Sequence, residues 1–207
     1  MNPKLGKKGI LFIISAPSGT GKTTLSKKLL AADKNLKLSV SHTTRKPREN
    51  EINGREYYFI NKDKFTKMIV EDEFVEYVTN YNNYYGTSKS EISKYLNQGY
   101  DTILDINPPG AREFKKIFLK QIVTIFIFPP SIEELSNRLD RRNTKDNVRQ
   151  RLLHAYSDIK SYKEYDHFII NDDIDDTFLL LQAIIRVERN KKAIIKNLEK
   201  LIEQFNK

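Results

Sequence analysis

The feature that most constrains the fold of this chain is a glycine-rich segment, APSGTGKTT, at residues 16–24. An apolar, β-branched run at 10–15 comes directly before it, and residues 23–32 follow with leucines at helical spacing. A buried strand, a tight turn and a helix in this order begin a βαβ unit. The segment therefore predicts an α/β fold, with a mainly parallel sheet that is covered by helices on both faces.

This segment matches the phosphate-binding pattern G-x-x-x-x-G-K-[ST], except that Ala16 replaces the first glycine. Gly19 and Gly21 allow a tight backbone whose N–H groups face phosphate oxygens at the positive end of the helix. Lys22 suits the β- and γ-phosphates, and the Thr23 hydroxyl suits Mg²⁺. A turn that only joins strand to helix is the alternative, and the flanking strand and helix patterns disfavour it. We predict a nucleoside triphosphate site formed by Ala16, Pro17, Ser18, Gly19, Thr20, Gly21, Lys22, Thr23 and Thr24.

Three more apolar runs, at residues 102–106, 122–128 and 168–171, predict further strands of the same sheet. Asp105 lies near the end of the first run, and a carboxylate there is expected to face Mg²⁺ through water. An isolated Asp at a strand end is often only a turn residue. The position beside the predicted phosphate loop favours the metal-binding interpretation.

The other segments have weaker patterns. Residues 38–85 alternate short polar and aromatic stretches with turn signals, which predicts an inserted mixed segment rather than another βαβ unit. Two prolines and a glycine predict a turn at 108–110, followed by a helix over 111–118. Residues 177–204 predict a long amphipathic stretch, formed as one helix or two.

Composition narrows the classes of function. The 207 residues contain no cysteine, which excludes a disulfide framework and thiol catalysis. The formal net charge is +9, but the arginines cluster at 45–55 and 138–151, which favours small phosphorylated ligands over a nucleic-acid partner. No run approaches the ~20 apolar residues that span a bilayer, so we expect no membrane partner. The apolar run near the start is too short for a signal peptide, so we expect a cytoplasmic protein.

Four further motifs carry a resemblance. Residues 40–59 read VSHTTRKPRENEINGREYYF, and NYYGTS, ILDI and INDD follow at 83–88, 103–106 and 170–173. Together with the phosphate loop, these blocks resemble the guanylate kinase family in order and content, over about residues 10–189.

The resemblance implies a fold and an organisation. We expect one domain over 1–207, with a phosphate-loop NTPase core and a mainly parallel five-stranded sheet flanked by helices. The core is expected at about 9–39, 100–136 and 165–207. The inserted segment at about 40–99 would be a mixed GMP-binding region, and about 137–164 a helical lid.

The resemblance also implies an activity, which is transfer of the γ-phosphate of ATP to GMP, and to dGMP, with Mg²⁺ as cofactor. Arg45, Arg48, Tyr57 and Tyr85 match positions that hold the GMP phosphate, and Glu51 matches one that orients the arginines. The complete set of GMP-binding positions is Ser41, Arg45, Arg48, Glu51, Tyr57, Glu76, Tyr85, Gly86, Thr87, Asp105 and Asn107.

Among these positions, Glu76 would accept hydrogen bonds from guanine N1 and N2, which selects against adenine because adenine has no N1–H. Ser41 and Thr87 would hydrogen-bond the base. The positions implied to act in catalysis are Lys22, Arg45, Arg138 and Arg151. Arg142 and Asn171 would contact ATP, the latter near the adenine.

Asn107 is a departure from the family, which usually has aspartate there, where it helps to accept the guanine amino group. Asparagine keeps a carbonyl acceptor but loses the charge. Pro108 and Pro109 then fix the chain that follows. We expect guanine binding to persist with weaker discrimination.

Two other classes of function fit part of the sequence. Non-catalytic guanylate-kinase-like modules bind peptides, but they typically have a degraded phosphate loop, whereas Gly21, Lys22 and Thr23 are intact here. A nucleic-acid-dependent ATPase would suit the positive charge but leaves residues 40–59 unexplained. An apolar stripe at 190–207 would pack on its own core or form a dimer contact, so monomer and homodimer both stay open.

Overall fold

A computed structural model describes residues 8–80, 82–118, 122–141 and 148–205. Its main sheet has five parallel strands in the order β2-β7-β1-β8-β9. These strands are β1 (Leu11–Ser15), β2 (Leu36–Leu38), β7 (Asp101–Asp105), β8 (Ile122–Phe128) and β9 (His167–Ile170). The predicted α/β fold with a parallel five-stranded sheet is confirmed. Only β2 was not marked by an apolar run, because it is a short edge strand with a lysine at its centre.

Both faces of this sheet are buried, as the continuous apolar sequence of β1 requires. Phe12 and Ile14 belong to the core on one face, and Leu11 and Ile13 belong to the core on the other. Because successive side chains of a strand point to opposite faces, one run of five buried residues joins the two cores.

Helices lie on both faces of this sheet and also on the inserted segment. They are α1 (Lys22–Ala32), α2 (Lys62–Val70), α3 (Lys89–Leu96), α4 (Pro108–Ile117), α5 (Ile132–Arg141), α6 (Val148–Lys160) and α7 (Ile174–Phe205), and a 3₁₀ turn covers Ser161–Glu164. The long carboxyl-terminal stretch, for which one helix or two were predicted, is one helix, α7. None of the helices within the described residues is long and apolar enough to cross a membrane.

The predicted turn at 108–110 is wrong, since these residues form the first turn of α4. Asn107 is the N-cap, and its side-chain oxygen accepts from the Gly110 N–H at 3.1 Å. Pro108 and Pro109 occupy the first two helical positions. Backbone N–H groups there have no partner within the helix, so proline loses no hydrogen bond, and its fixed φ suits the helix. The prolines therefore begin α4 instead of delaying it.

The inserted segment forms a second, four-stranded sheet in the order β4-β3-β6-β5. Its strands are β3 (His42–Thr43), β4 (Tyr58–Phe59), β5 (Phe74–Asn80) and β6 (Asn83–Ser88). The β3–β4 pair is parallel, whereas β6 is antiparallel to both β3 and β5. A small core of Phe65, Met68 and Phe74 lies between α2 and this sheet. The mixed architecture predicted for the segment is confirmed.

Candidate functional site

A cleft of about 860 Å³ lies beyond the carboxyl ends of β1 and β7. The loop after β1 forms one wall, the second sheet faces it, and α6 closes one side. Ligands of open parallel sheets bind at this edge, because the loops that follow the strands converge there. The cleft is therefore the candidate site.

The loop after β1 has the backbone that its two glycines predict. Gly19 and Gly21 have φ angles of 95° and 98°, which side chains rarely allow. A Cβ on Gly21 would lie 2.8 Å from the Asn171 side-chain nitrogen, and one on Gly19 would press on Leu135 and Leu139 at 3.2 Å. Gly21 is also the N-cap of α1. Conformation and space both require glycine at these two positions.

Lys22 and Asp105 meet inside the cleft, with Nζ and Oδ1 2.5 Å apart. They meet because β1 and β7 are neighbours in register, with Ile14 opposite Asp105. Thr23 belongs to the same lining. Hydroxyl and carboxylate oxygens are hard donors that fit Mg²⁺, which usually keeps several water and phosphate ligands. No group of three or more His, Cys, Asp or Glu side chains that could hold a metal ion occurs among the described residues.

Arg45 and Glu51 form a two-pronged ion pair on the opposite wall. The Arg45 nitrogens donate to the two carboxylate oxygens at 2.7 and 2.9 Å, and the Arg48 backbone N–H donates to the same carboxylate at 2.8 Å. Burial alone would raise the pKa of Glu51, but these hydrogen bonds outweigh it and lower the pKa. The carboxylate stays ionised and fixes the guanidinium plane.

Two tyrosines lie beside this guanidinium. The rings of Tyr57 and Tyr85 meet edge to face at 5.9 Å, and the Arg45 guanidinium lies 5.4 Å from the Tyr57 ring. Burial, and then the negative charge of Asp105, raise the pKa of the Tyr57 hydroxyl. The Tyr57 hydroxyl therefore stays neutral and can act as a hydrogen-bond donor.

Glu76 forms a different kind of pocket at the end of the cleft. Its Oε1 accepts from the Thr87 hydroxyl at 2.7 Å, and that hydroxyl lies 3.3 Å from the Ser41 hydroxyl. The pairing of β5 with β6 places Glu76 opposite Thr87. Burial raises the pKa of Glu76 to about 7, although the hydrogen bonds from Thr87 oppose the shift. A buried carboxylate that lines a cleft is suited to accept from a ligand's N–H groups.

Comparison with known proteins identifies the family of this chain. The family model of guanylate kinase matches residues 8–188. The chain belongs to the guanylate kinase family. Relatives named guanylate kinase include one from Clostridioides difficile, 44% identical over 96% of this chain and 97% of its own length. One from Rickettsia prowazekii is 44% identical over 91% and 96%. The crystal structure of guanylate kinase from Anaplasma phagocytophilum matches with a TM-score of 0.73 and 33% identity, covering 89% of this chain and 88% of that one.

Most positions that the family resemblance suggested meet in this one cleft. They are Ala16, Pro17, Ser18, Gly19, Thr20, Gly21, Lys22, Thr23, Ser41, Arg45, Arg48, Tyr57, Glu76, Tyr85, Gly86, Asp105, Asn107 and Arg151. Glu51 and Thr87 lie behind this lining, where they hold Arg45 and Glu76 in place.

Three suggested positions among the described residues do not line the cleft. Asn171 is buried behind the phosphate loop, and its side-chain N–H donates to the Thr20 carbonyl. This hydrogen bond stabilises the loop, and Asn171 itself does not line the cleft. Arg138 pairs with Glu134 one turn earlier on α5. Thr24 is the third residue of α1 and does not line the cleft. Arg142 lies outside the described residues.

Sequence reasoning missed several lining residues on α6. Arg151 was suggested, but His154, Ala155 and Asp158 share its face and also line the cleft. Their spacing of three, four and seven residues from Arg151 was a readable signal, because such positions lie on one side of a helix. Burial raises the pKa of Asp158, although the nearby charge of Lys22 opposes this.

Proposed function

We propose that this protein is an ATP:GMP phosphotransferase, which transfers the γ-phosphoryl group of ATP to GMP and yields ADP and GDP. The observation that carries the proposal is one cleft that joins the phosphate loop to a fixed arginine fork and a buried carboxylate pocket. A peptide-binding module would need none of these three together. Since both substrates are cytoplasmic nucleotides, we expect the protein to act in the cytoplasm.

We assign the acceptor to the inserted region, about 40–99. Arg45, Arg48, Tyr57 and Tyr85 provide two cations and two neutral hydroxyls, which suit the doubly charged phosphate of GMP. Glu76 faces the base and accepts from guanine N1 and N2. Adenine offers no N1–H there, so this buried acceptor would be left unpaired with AMP.

The donor occupies the loop of the core, about 9–39. Lys22 leaves its ion pair with Asp105 and contacts the β- and γ-phosphates of ATP instead. A GMP phosphate oxygen attacks the γ-phosphorus in line, the bond to the β-phosphate oxygen breaks, and ADP leaves with that electron pair. Arg45 and Arg151 stabilise the charge on the transferred group. Mg²⁺, held by Thr23 and by Asp105 through water, would neutralise phosphate charge when bound.

The lid at about 137–164 completes the assignment. It approaches the cleft through α6, whose Arg151 and His154 belong to the lining. Its closure would exclude water, which would otherwise accept the phosphoryl group. The arginines we place on the donor from this side are Arg138, Arg142 and Arg151.

The proposal predicts the order of acceptors in an ADP-release assay with ATP and Mg²⁺. GMP and dGMP should be phosphorylated, and AMP and UMP should be slower by about a hundredfold or more, because neither base offers Glu76 the adjacent N1–H and N2–H donors of guanine. ATP alone should give only slow release. Equal rates with and without GMP would contradict the assignment.

A second prediction concerns the carboxylate that orients Arg45. Glu51→Gln replaces one oxygen by an amide N–H that faces the guanidinium and removes a charge-assisted bond. The KM for GMP should rise about tenfold, with a smaller loss in kcat.

Glu56→Gln is the matched control, because Glu56 also pairs with an arginine, Arg55, but that arginine does not line the cleft, whereas Arg45 does. Its KM for GMP should stay within about twofold of the native value. If Glu51→Gln and Glu56→Gln behaved alike, the positioning role of Glu51 would be wrong.

A further inference from the structure

We propose that the carboxyl-terminal half of α7 is a dimerisation surface, on which a second copy of this chain packs the same face of its own α7. The surface is a row of exposed apolar side chains, which we call the α7 stripe. Its members are Ile194, Ile195, Leu198, Leu201, Ile202 and Phe205. These residues do not belong to the lining of the cleft, so the inference does not depend on the proposed function.

The α7 stripe differs from the face by which α7 packs on its own domain. Leu181 and Ile185 are buried in the core that α1 also covers, and Phe178 packs against that core. At 3.6 residues per turn, the stripe lies about 130° around the helix axis from this face. In the sequence, the positions that continue the core-facing side are the charged residues Lys192, Lys196, Glu199 and Glu203. The apolar side of α7 therefore changes direction halfway along the helix, as expected if its second half packs on something other than its own core.

The apolar cores of the described residues do not extend to the α7 stripe. None of the four cores includes a residue of α7 beyond Ile185. The exposed fractions of the stripe residues range from 47% to 83%. Soluble monomers rarely leave an apolar patch of more than a few hundred Å² in contact with water. The stripe therefore indicates a binding partner.

The spacing within the stripe indicates that this partner is another helix. Four of its members follow one another at intervals of four, three and four residues, and the other two lie directly beside them. The four are Ile194, Leu198, Leu201 and Phe205. Together the six residues occupy the a, d and e positions of a heptad repeat, whose side chains pack between those of a facing helix.

A second copy of this chain is the helix that fits best. Each stripe residue exposes on the order of 100 Å², so the stripe offers on the order of 600 Å² to a partner. A standard interface buries about 800 Å² on each side, so the stripe and its rim suffice for a dimer. Two copies related by a twofold axis bring identical stripes together. Each stripe then covers the other, and neither copy is left with an exposed apolar face.

The test measures the dissociation constant of the dimer by sedimentation velocity, from about 1 to 100 µM protein. The native protein should dimerise within this range. Leu198→Glu places a charge in the middle of the stripe and should raise the dissociation constant by about a hundredfold or more. Val70→Glu is the matched control, because Val70 is 81% exposed on α2, outside the stripe. It should leave the dissociation constant within about twofold of the native value.

A charge-complementation experiment separates loss of contact from loss of folding. Leu198→Lys alone should also be monomeric. A mixture of Leu198→Glu and Leu198→Lys should associate at least about tenfold more tightly than either variant alone, because opposite charges then meet across the two stripes. Such a gain requires that both variants are folded and that stripe contacts stripe.

Several outcomes would overturn the inference. One is a native protein that stays monomeric at about 100 µM. Equal weakening of the dimer by Leu198→Glu and Val70→Glu is another, because a different surface would then hold the two copies together. A mixture that associates no more tightly than its components would show that the stripes do not meet. A monomer that co-sediments with phosphatidylserine vesicles, but not as Leu198→Glu, would assign the stripe to a membrane surface instead.

Discussion

Replacing Lys22 by alanine is expected to slow phosphoryl transfer by about a thousandfold while leaving GMP affinity within about twofold. Lys22 is the cation of the phosphate loop, and it lies in the cleft against Asp105. Removal of one preorganised charge from a phosphoryl-transfer site has effects of this size. The residues assigned to GMP, such as Arg45 and Glu76, are fixed by partners on the second sheet and its loops.

The measurement pairs a turnover assay with calorimetric titration of GMP in the absence of ATP. Lys27→Ala is the control, because Lys27 lies on the same helix with a largely exposed side chain. It should retain native turnover. Loss of GMP binding in Lys22→Ala would show that donor and acceptor sites are not separable in the way proposed.

Replacing Glu76 by glutamine should weaken function and increase stability at the same time. The amide oxygen can keep the bond from Thr87, but the amide N–H then faces guanine N1–H. Turnover with GMP should fall by about a hundredfold or more, and the ratio of AMP to GMP turnover should rise. Glu91→Gln serves as control, since Glu91 is also buried but does not line the cleft.

The gain in stability should depend on pH. The pKa of Glu76 is about 7 in the folded protein against an ordinary value of 4.5. Because its pKa is raised, the carboxyl group is preferred in its neutral form by the folded protein. Its contribution to the free energy of unfolding is therefore fully present below pH 4.5 and is lost as pH rises from 4.5 to about 7. Above pH 7 the buried charge costs on the order of 3 kcal/mol. Glu76→Gln should therefore melt higher by about 5–10 °C at pH 8 and by little at pH 4.

The same pKa predicts how GMP affinity varies with pH. Only the ionised carboxylate accepts both guanine N–H groups, so affinity should fall as pH drops through about 7. Titration of the GMP phosphate also changes GMP affinity with pH, in the native protein and in Glu76→Gln alike. Since Glu76→Gln has no carboxylate at this position, it shows the effect of the phosphate alone. An equal pH dependence in the native and variant proteins would contradict a role for Glu76 in guanine binding.

Local pattern was sufficient for the phosphate loop and for four of the five strands of the main sheet, all except β2. The loop needs glycine at 19 and 21 and a lysine after it, and these requirements are met by consecutive residues. Continuous apolar runs such as 122–128 reveal strands that are buried on both faces. Pattern failed at 108–110, because a proline pair is read as a turn unless the capping role of Asn107 is recognised.

By itself, therefore, the sequence determined an α/β fold with a phosphate loop and, through family resemblance, the positions that we propose for binding a guanine nucleotide. Only the tertiary structure decided how they act together. Lys22 meets Asp105 because β1 and β7 are paired, and Glu76 meets Thr87 because β5 and β6 are paired. The orientation of the Asn107 amide follows from the N–H of Gly110. Sequence reveals what depends on neighbours along the chain, whereas hydrogen-bond partners and burial depend on neighbours in space.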